Sequence, residues 1–222
     1  MSLELYFHPL SSFCQKVLIA LYENDRQFTP RIVNLMEEKS RAAFLKVWPI
    51  GKFPVLRDTA TGRTIPESTI IIEYLDQDYP GKTKLIPDDP ERAAEVREWD
   101  RFFDLHLHLP MQKVIADRMR PDGKSDPYGV EDAHRRIGVA LDLAERRMAG
   151  RSWAVGEAFT MADCAAAPPL FYLDTVRPFA ATHPKLAAYL GRLKARPSYA
   201  RALEEAKPYL DLVPKEKAKA PA

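Results

Sequence analysis

The chain has 222 residues, of which 46% are hydrophobic and 29% charged, as in globular proteins of one large or two small domains. Its formal net charge of +2 predicts no attraction to nucleic acid or to a membrane surface. No apolar run approaches the roughly 18 residues of a membrane span. No basic segment leads an apolar one at the N-terminus, so we expect no secretory signal.

The cysteines and histidines are placed unfavourably for a disulfide or a metal site. Cys14 and Cys164 lie far apart and form no CxxC or metal-ligand spacing. We therefore expect two free thiols in a reducing, cytoplasmic compartment. His106 and His108 are two residues apart, so on a helix they face different sides. The sequence predicts no metal cofactor.

The first 80 residues predict a small α/β domain. Leu3 to Phe7 is typical of a short strand, and apolar residues then recur at helical spacing from about Ser12 to Glu23. The later elements are a strand over 28–35, a short helix capped by Ser40, a hairpin with its turn over 59–62, and a helix opened by Glu67 and Ser68. The order β-α-β-α-β-β-α, with a mixed four-stranded sheet, predicts a thioredoxin-like topology.

Two serines, Ser11 and Ser12, stand where the first strand turns into the first helix. A helix N-terminus presents free backbone N–H groups and a positive dipole end, which suits an anion or a thiol that must ionise. Ser12 can equally act only as the cap of this helix. This stretch alone leaves both interpretations open.

Two other stretches suggest that an extended peptide binds. If the Phe53–Pro54 bond is cis, the backbone polar groups of Phe53 face outward at the mouth of a strand, where a peptide can pair with them. Ser68 falls at a predicted helix N-cap that can receive a carboxylate, and Glu67 can accept from an ammonium group. The structural alternative is that Ser68 caps its own helix and that the carboxylate of Glu67 interacts favourably with the positive end of the helix dipole.

The second half of the chain is helical in pattern throughout. A Pro-Gly pair ends the third helix, and we expect a linker over residues 81–89 and an all-helical domain over 90–213. Pro90 can begin a long helix, which Pro110 interrupts or kinks.

Later in this half, a polar loop over 121–129 leads to a helix that Gly150 ends. Thr160 and Asp163 match a variant of the capping box, for which we expect a structural role. Residues 214–222 have no apolar face and predict a loosely held tail.

A thioredoxin-like domain, a linker and an all-helical domain, in that order, resemble the cytosolic glutathione S-transferases. The motifs that carry the resemblance are LELYFHPLSSFCQKVLIAL, WPIGKFPVL, Glu67-Ser68 and FTMAD. The Ser-Ser-x-Cys opening is similar to the serine-type classes, namely theta, delta, zeta and their bacterial relatives. The resemblance implies a cytoplasmic, homodimeric transferase of detoxification, with glutathione as co-substrate.

The resemblance also implies which residues hold glutathione. The two lysines of the set would contact the glycyl carboxylate, the Phe-Pro pair the cysteinyl part, and the Glu-Ser pair the γ-glutamyl end. This set is Lys39, Lys52, Phe53, Pro54, Glu67 and Ser68.

The residue that activates glutathione has four candidates. In the serine-type pattern the first serine does so, which is Ser11 here. Ser12 falls where the bacterial beta class keeps a cysteine, and Tyr6 begins a Tyr-Phe pair like that of the tyrosine-type classes. Cys14 stands in the first turn of the helix, where a thiol pKa can be lowered. We rank them Ser11, Ser12, Tyr6 and Cys14.

The second substrate is expected between the domains, against the long helix, and to be a small hydrophobic electrophile. The candidates that would line its site are Phe103, His106, Leu107, Met111 and Arg118. Three other functions stay open: a zeta-like isomerase, a non-enzymatic binding protein and a thiol-disulfide reductase acting through Cys14. Phe13 stands where the zeta signature has a cysteine.

Overall fold

The computed structural model describes residues 2–214. Its first half is an α/β layer with the strands in the order β2-β1-β3-β4. β1 runs parallel to β2 and antiparallel to β3, which pairs antiparallel with β4. The predicted mixed four-stranded, thioredoxin-like sheet is therefore confirmed. The elements are β1 (Leu3–Phe7), α1 (Ser12–Glu23), β2 (Thr29–Ile32), α2 (Glu38–Val47), β3 (Val55–Asp58), β4 (Arg63–Pro66) and α3 (Ser68–Asp78).

The second half is helical, as predicted, and residues 79–89 connect it to α3 without helix or strand. Its elements are α4 (Pro90–Phe102), a π-helical segment (Phe103–His108), α5 (Leu109–Arg118), α6 (Pro127–Arg147), α7 (Met161–Val176), α8 (Pro184–Ala195), α9 (Pro197–Ala206) and a 3-10 turn (Lys207–Leu212). The predicted capping box is confirmed at the start of α7, where Thr160 and Asp163 bond reciprocally. Apart from Pro214, the predicted tail over 214–222 lies outside the described residues.

Two local predictions for the α/β half were wrong. β2 covers only Thr29–Ile32, not 28–35, because its one partner strand ends at Phe7, which lies opposite Ile32. Ser40 does not cap α2, which begins two residues earlier at Glu38. The Ser40 hydroxyl instead accepts from the backbone N–H of Asn34 at 2.9 Å.

Pro110 changes the long helix without breaking it. Proline has no N–H, so the carbonyl four residues earlier, that of His106, loses its usual intrahelical donor. The six residues of the π segment stand directly before this point, and their wider turns accommodate the lost bond. Residues 90–118 therefore remain helical, but residues after the π segment face a different direction than an ideal α-helix would give them.

A buried ionic cluster joins the two halves. The ammonium group of Lys16, on α1, lies 2.6 Å from a carboxylate oxygen of Asp100 and 2.8 Å from one of Asp104. It also donates to the hydroxyl of Thr69, on α3, at 2.9 Å. All four side chains are buried. The guanidinium of Arg101 lies 3.4 Å from Asp104 and 3.9 Å from Asp100 and supplies the second positive charge. Burial of the two carboxylates is tolerated because both cations pair with them.

We expect Lys16→Met to destabilise the fold by about 3–5 kcal/mol, because it removes the buried cation and leaves the two carboxylates only the partly exposed guanidinium of Arg101, 3.4 Å from Asp104 and 3.9 Å from Asp100. Urea denaturation at pH 7 measures this. Burial already raises the pKa of Asp104 against the opposing effect of Lys16. The variant's folded state then binds protons more readily than its unfolded state, so its stability should rise as the pH falls from 7 to 5.

The matched control is Lys185→Met, which removes a lysine from the exposed first turn of α8. It should shift the free energy of unfolding by no more than about 0.5 kcal/mol. Equal stability of the two variants would contradict a role for the buried cluster.

Candidate functional site

Two cavities open beside the N-terminal end of α1. The first, which we call the sheet-edge cavity, has a volume of about 230 Å³ and is lined by Phe13, Trp48, Lys52, Phe53, Pro54, Pro66, Glu67, Ser68, Thr69, Arg101, Asp104, Leu105 and Leu109. The second, which we call the helix cavity, has a volume of about 370 Å³ and is lined by Leu10, Ser11, Ser12, Met111, Gln112, Ile115, Ala116, Met119, Tyr172, Val213 and Pro214. Consecutive residues at the start of α1 contribute to both.

The sheet-edge cavity brings together five of the six residues expected to hold glutathione. Lys52, the Phe53-Pro54 pair and the Glu67-Ser68 pair all line it. The Phe53–Pro54 peptide bond is cis, as the resemblance implied. Lys39 lies on an exposed part of α2 and is not among the lining residues.

The start of α3 differs from the prediction. Ser68 is the first residue of the helix, and the N-cap is Glu67, which makes no side-chain capping bond. Glu67 has φ of 67°, a conformation that non-glycine residues adopt at a cost and that clusters at functional sites. Because no side chain caps α3, its first N–H groups remain suited to a carboxylate ligand.

The start of α1 also reverses a prediction. Ser11, not Ser12, is the N-cap, and its hydroxyl accepts from the backbone N–H of Cys14 at 3.4 Å. Ser12 is the first helical residue, and its buried hydroxyl oxygen lies 2.5 Å from Nε2 of His108. The two residues are 96 positions apart, so local sequence reasoning had no access to this contact.

His108 is held as a neutral imidazole. Burial, assisted by the nearby Lys16 ammonium, lowers the pKa of His108 to about 3. The ring of Phe13 stacks against it with centroids 3.8 Å apart. The imidazole is therefore fixed in orientation and uncharged at physiological pH.

The other two activation candidates lie away from both cavities. Cys14 is completely buried, and this burial raises the pKa of its thiol to about 12. The ring of Tyr6 stacks on Phe44 with centroids 6.1 Å apart, on the other side of the sheet from Leu5. Of the four candidates for activating glutathione, only Ser11 and Ser12 line one of the two cavities.

Of the five residues expected against the second substrate, only Met111 lines the helix cavity. Phe103 and Leu107 were wrongly predicted, because both are fully buried in the core. His106 is exposed and packs its ring against Phe102. Arg118 does not line the helix cavity but contacts a residue that does: its guanidinium donates to the carbonyl of Pro214 at 3.2 Å.

The sequence contained a signal for part of the missed lining. Met111, Ile115 and Met119 recur every four residues, which places them on one side of α5 and of its C-cap, Met119. Tyr172 gave no such signal. Its hydroxyl donates to the carbonyl of Leu10 at 2.7 Å, across 162 residues.

Both halves of the chain match family models of known proteins. Residues 5–83 match the family model of the glutathione S-transferase N-terminal domain, and residues 127–192 match that of the C-terminal domain. The glutathione S-transferase-like protein LUC7 of a Fusarium species is 30% identical over 157 residues, which span 71% of each chain. A glutathione S-transferase of Hyoscyamus muticus is 25% identical over 92% of this chain and 99% of its own.

A solved structure agrees with these matches. The glutathione S-transferase of Methylobacillus flagellatus, crystallised with glutathione bound, is 26% identical and superposes with a TM-score of 0.83, over 90% of this chain and 98% of its own. The fold and the matched domains are those of the cytosolic glutathione transferases. This chain belongs to the glutathione S-transferase family, and glutathione transferase is its enzyme class.

Neither a metal site nor a membrane span is found in the described part of the chain. No group of three or more His, Cys, Asp or Glu side chains within residues 2–214 is arranged to hold a metal ion. No helix in the same range has the length and apolarity to cross a membrane.

We expect the native protein to show no fast-reacting thiol towards a disulfide reagent at pH 8. With its pKa near 12, Cys14 is almost wholly protonated at that pH, and burial also raises the pKa of Cys164. Both thiols should react once the chain is unfolded. A rapid reaction of the native protein that Cys14→Ser abolishes would contradict the buried position of Cys14 and would favour the thiol-disulfide reductase function.

Proposed function

We propose that this enzyme transfers glutathione to a small hydrophobic electrophile and that the hydroxyl of Ser11 stabilises the reacting thiolate. The observation that carries the proposal is the position of Ser11. It caps α1 at the wall of an apolar cavity, next to residues that line a second cavity suited to a peptide.

The sheet-edge cavity matches the polar groups of glutathione. At one end Glu67 can accept from the α-ammonium group, while Ser68 and the uncapped start of α3 suit the α-carboxylate. Lys52 can pair with the glycyl carboxylate, and the Phe53-Pro54 pair also belongs to the cavity wall, where its backbone can pair with the cysteinyl part. Lys39 would contact the glycyl carboxylate only from outside this wall.

The energy required of Ser11 is modest. A thiol with a pKa of about 8.5 is only about 3% ionised at pH 7. Lowering the pKa by about two units needs ~2.7 kcal/mol of preferential thiolate stabilisation. One hydroxyl donor to a charged acceptor supplies roughly 1.5–3 kcal/mol, and the helix terminus adds about 0.3–1 kcal/mol. Ser11 and the end of α1 are together sufficient.

The helix cavity favours an apolar, uncharged second substrate. Its wall is formed mainly by aliphatic and thioether side chains, with no acidic or basic residue among them. Such a wall selects by shape and apolar burial rather than by charge. Thiolate attack then forms a carbon–sulfur bond to glutathione. In a substitution the bond to the leaving group, such as halide, breaks and takes its electron pair; in an addition the displaced electron pair stays on the electrophile and takes up a proton from solvent.

We also propose a cytoplasmic homodimer. Both cysteines are free, as expected in a reducing compartment. Leu105 and Leu109, which line the sheet-edge cavity, have exposed apolar side chains. Ile50 and Ile70 are also exposed, and they are close in sequence to the lining residues Lys52 and Thr69. A second copy would bury them.

Light scattering during gel filtration should give twice the mass of the 25.3 kDa chain. Leu105→Glu combined with Leu109→Glu should shift this mass to that of the monomer, because it places charges in an apolar contact. Leu143→Glu, on the exposed face of α6, is the control that should leave the mass unchanged. A wild-type monomer would refute the dimer.

Ser11→Ala should raise the pKa of bound glutathione by about 1–2 units towards the free value, since it removes the hydroxyl donor. Turnover at pH 7 should fall about three- to twenty-five-fold in step with the thiolate fraction, which drops from about 76% at a pKa of about 6.5 to about 24% at 7.5 and about 3% at 8.5. Thiolate absorbance over a pH titration measures the pKa, and conjugation to an aromatic halide measures turnover.

Ser125→Ala, in an exposed loop outside both cavities, is the matched control and should behave as the wild type. Conjugation that is unchanged in Ser11→Ala would overturn the role of Ser11. Failure of the wild type to bind immobilised glutathione would overturn the proposed function itself.

A further inference from the structure

Two adjacent hydroxyls, Ser11 and Ser12, line the helix cavity, yet their surroundings differ. The Ser11 oxygen serves as an acceptor for the N–H of Cys14, which leaves its proton free to be donated elsewhere. The Ser12 oxygen is engaged with Nε2 of His108 at 2.5 Å. Which of these two atoms carries the shared proton decides whether Ser12 can serve a bound sulfur.

The surroundings of His108 favour a lone pair, not an N–H, on Nε2. A neutral imidazole carries one proton, on either ring nitrogen. Nε2 points at the first residue of α1, where the helix dipole is positive. Lys16, one turn further along α1, adds a positive charge that disfavours the protonated ring. Lys16 thus keeps the ring neutral, and the helix dipole favours the tautomer with an acceptor at Nε2, so we assign the proton in the contact to the Ser12 hydroxyl.

The position of the imidazole is fixed by its place in the π segment, by ring stacking and by burial. His108 is the last residue of the π segment, which turns it towards α1. Phe13 stacks on one face of its ring, and the side chain is almost wholly buried. The acceptor therefore cannot turn away from Ser12 when a ligand enters.

We propose that His108 is a positioning residue that holds the Ser12 hydroxyl as its donor and thereby leaves Ser11 as the one serine able to donate to the glutathione sulfur. A hydroxyl has a single proton. Once Ser12 gives it to Nε2, only lone pairs remain, and these repel a thiolate. The inference deepens the proposed function and rests on it.

The first test reads the position of the proton directly. The full-length protein, labelled with ¹⁵N-histidine, is studied by long-range ¹H–¹⁵N correlation at pH 7 without glutathione. His108→Gln identifies the His108 signals by their loss. We expect an unprotonated Nε2 and a protonated Nδ1. A proton on Nε2 would overturn the proposal, because Ser12 would then be free to donate.

The second test measures the pKa of bound glutathione in three variants. Ser11→Ala should raise it by at least about one unit, and Ser12→Ala by less than about half a unit, one unit being tenfold in ionisation. Ser11→Ala combined with His108→Phe keeps the stacked ring but frees the Ser12 hydroxyl. In it the pKa should fall back by about half a unit or more from the Ser11→Ala value, a partial rescue that a merely structural histidine would not produce.

The outcomes separate this inference from the proposed function. If Ser12→Ala raises the pKa as far as Ser11→Ala, or if the double variant shows no rescue, the role of His108 is refuted while the transferase mechanism stands. If Ser11→Ala leaves the pKa unchanged, the proposed role of Ser11 fails. The Ser12→Ala measurement and the histidine spectrum do not use the double variant. If that variant fails to fold, these two tests still decide the role of His108.

Discussion

The ammonium group of Lys16 lies between the carboxylates of Asp100 and Asp104, where the α/β domain meets the helical domain. Buried charges of this kind tolerate little displacement, because the cost of desolvation is offset only while the ions and their hydrogen bonds are in place. Thr69 bonds both Lys16 and Asp100. The cluster thus sets α1, α3 and the long helix in one arrangement.

The shape of both cavities depends on this arrangement of α1, α3 and the long helix. Thr69 and Asp104 belong to the cluster and also line the sheet-edge cavity. One turn before Lys16, the start of α1 contacts the π segment through Ser12 and His108. The same packing that neutralises the buried charge therefore places the two serines opposite α5 and its apolar face.

The π segment connects a sequence feature to this geometry. Pro110 removes one intrahelical donor, and the residues just before it form wider turns. Among them are Asp104, which reaches Lys16, and His108, which reaches Ser12. Phe103 and Leu107, which belong to the same segment, are buried in the core and line neither cavity.

The sequence by itself determined the order of the elements, the mixed sheet, the helical second half, and the Phe53-Pro54 and Glu67-Ser68 stretches of the peptide-shaped cavity. These follow from local patterns: alternation, helical spacing, prolines and caps act within a few residues. Even so, the caps of α1 and α3 were each misplaced by one residue. At α1 two adjacent serines are equally suited to the cap, and at α3 the N-cap residue Glu67 makes no side-chain capping bond that local rules could detect.

Only the tertiary structure decided how the two serines at the start of α1 differ. Locally they are alike, and the difference comes from an imidazole 96 residues away that is kept neutral by burial and by Lys16. Tyr172 and Met111 likewise meet at the helix cavity from separate helices. Hydrogen-bond partners and ionisation states depend on packing between distant segments, and no local periodicity encodes them.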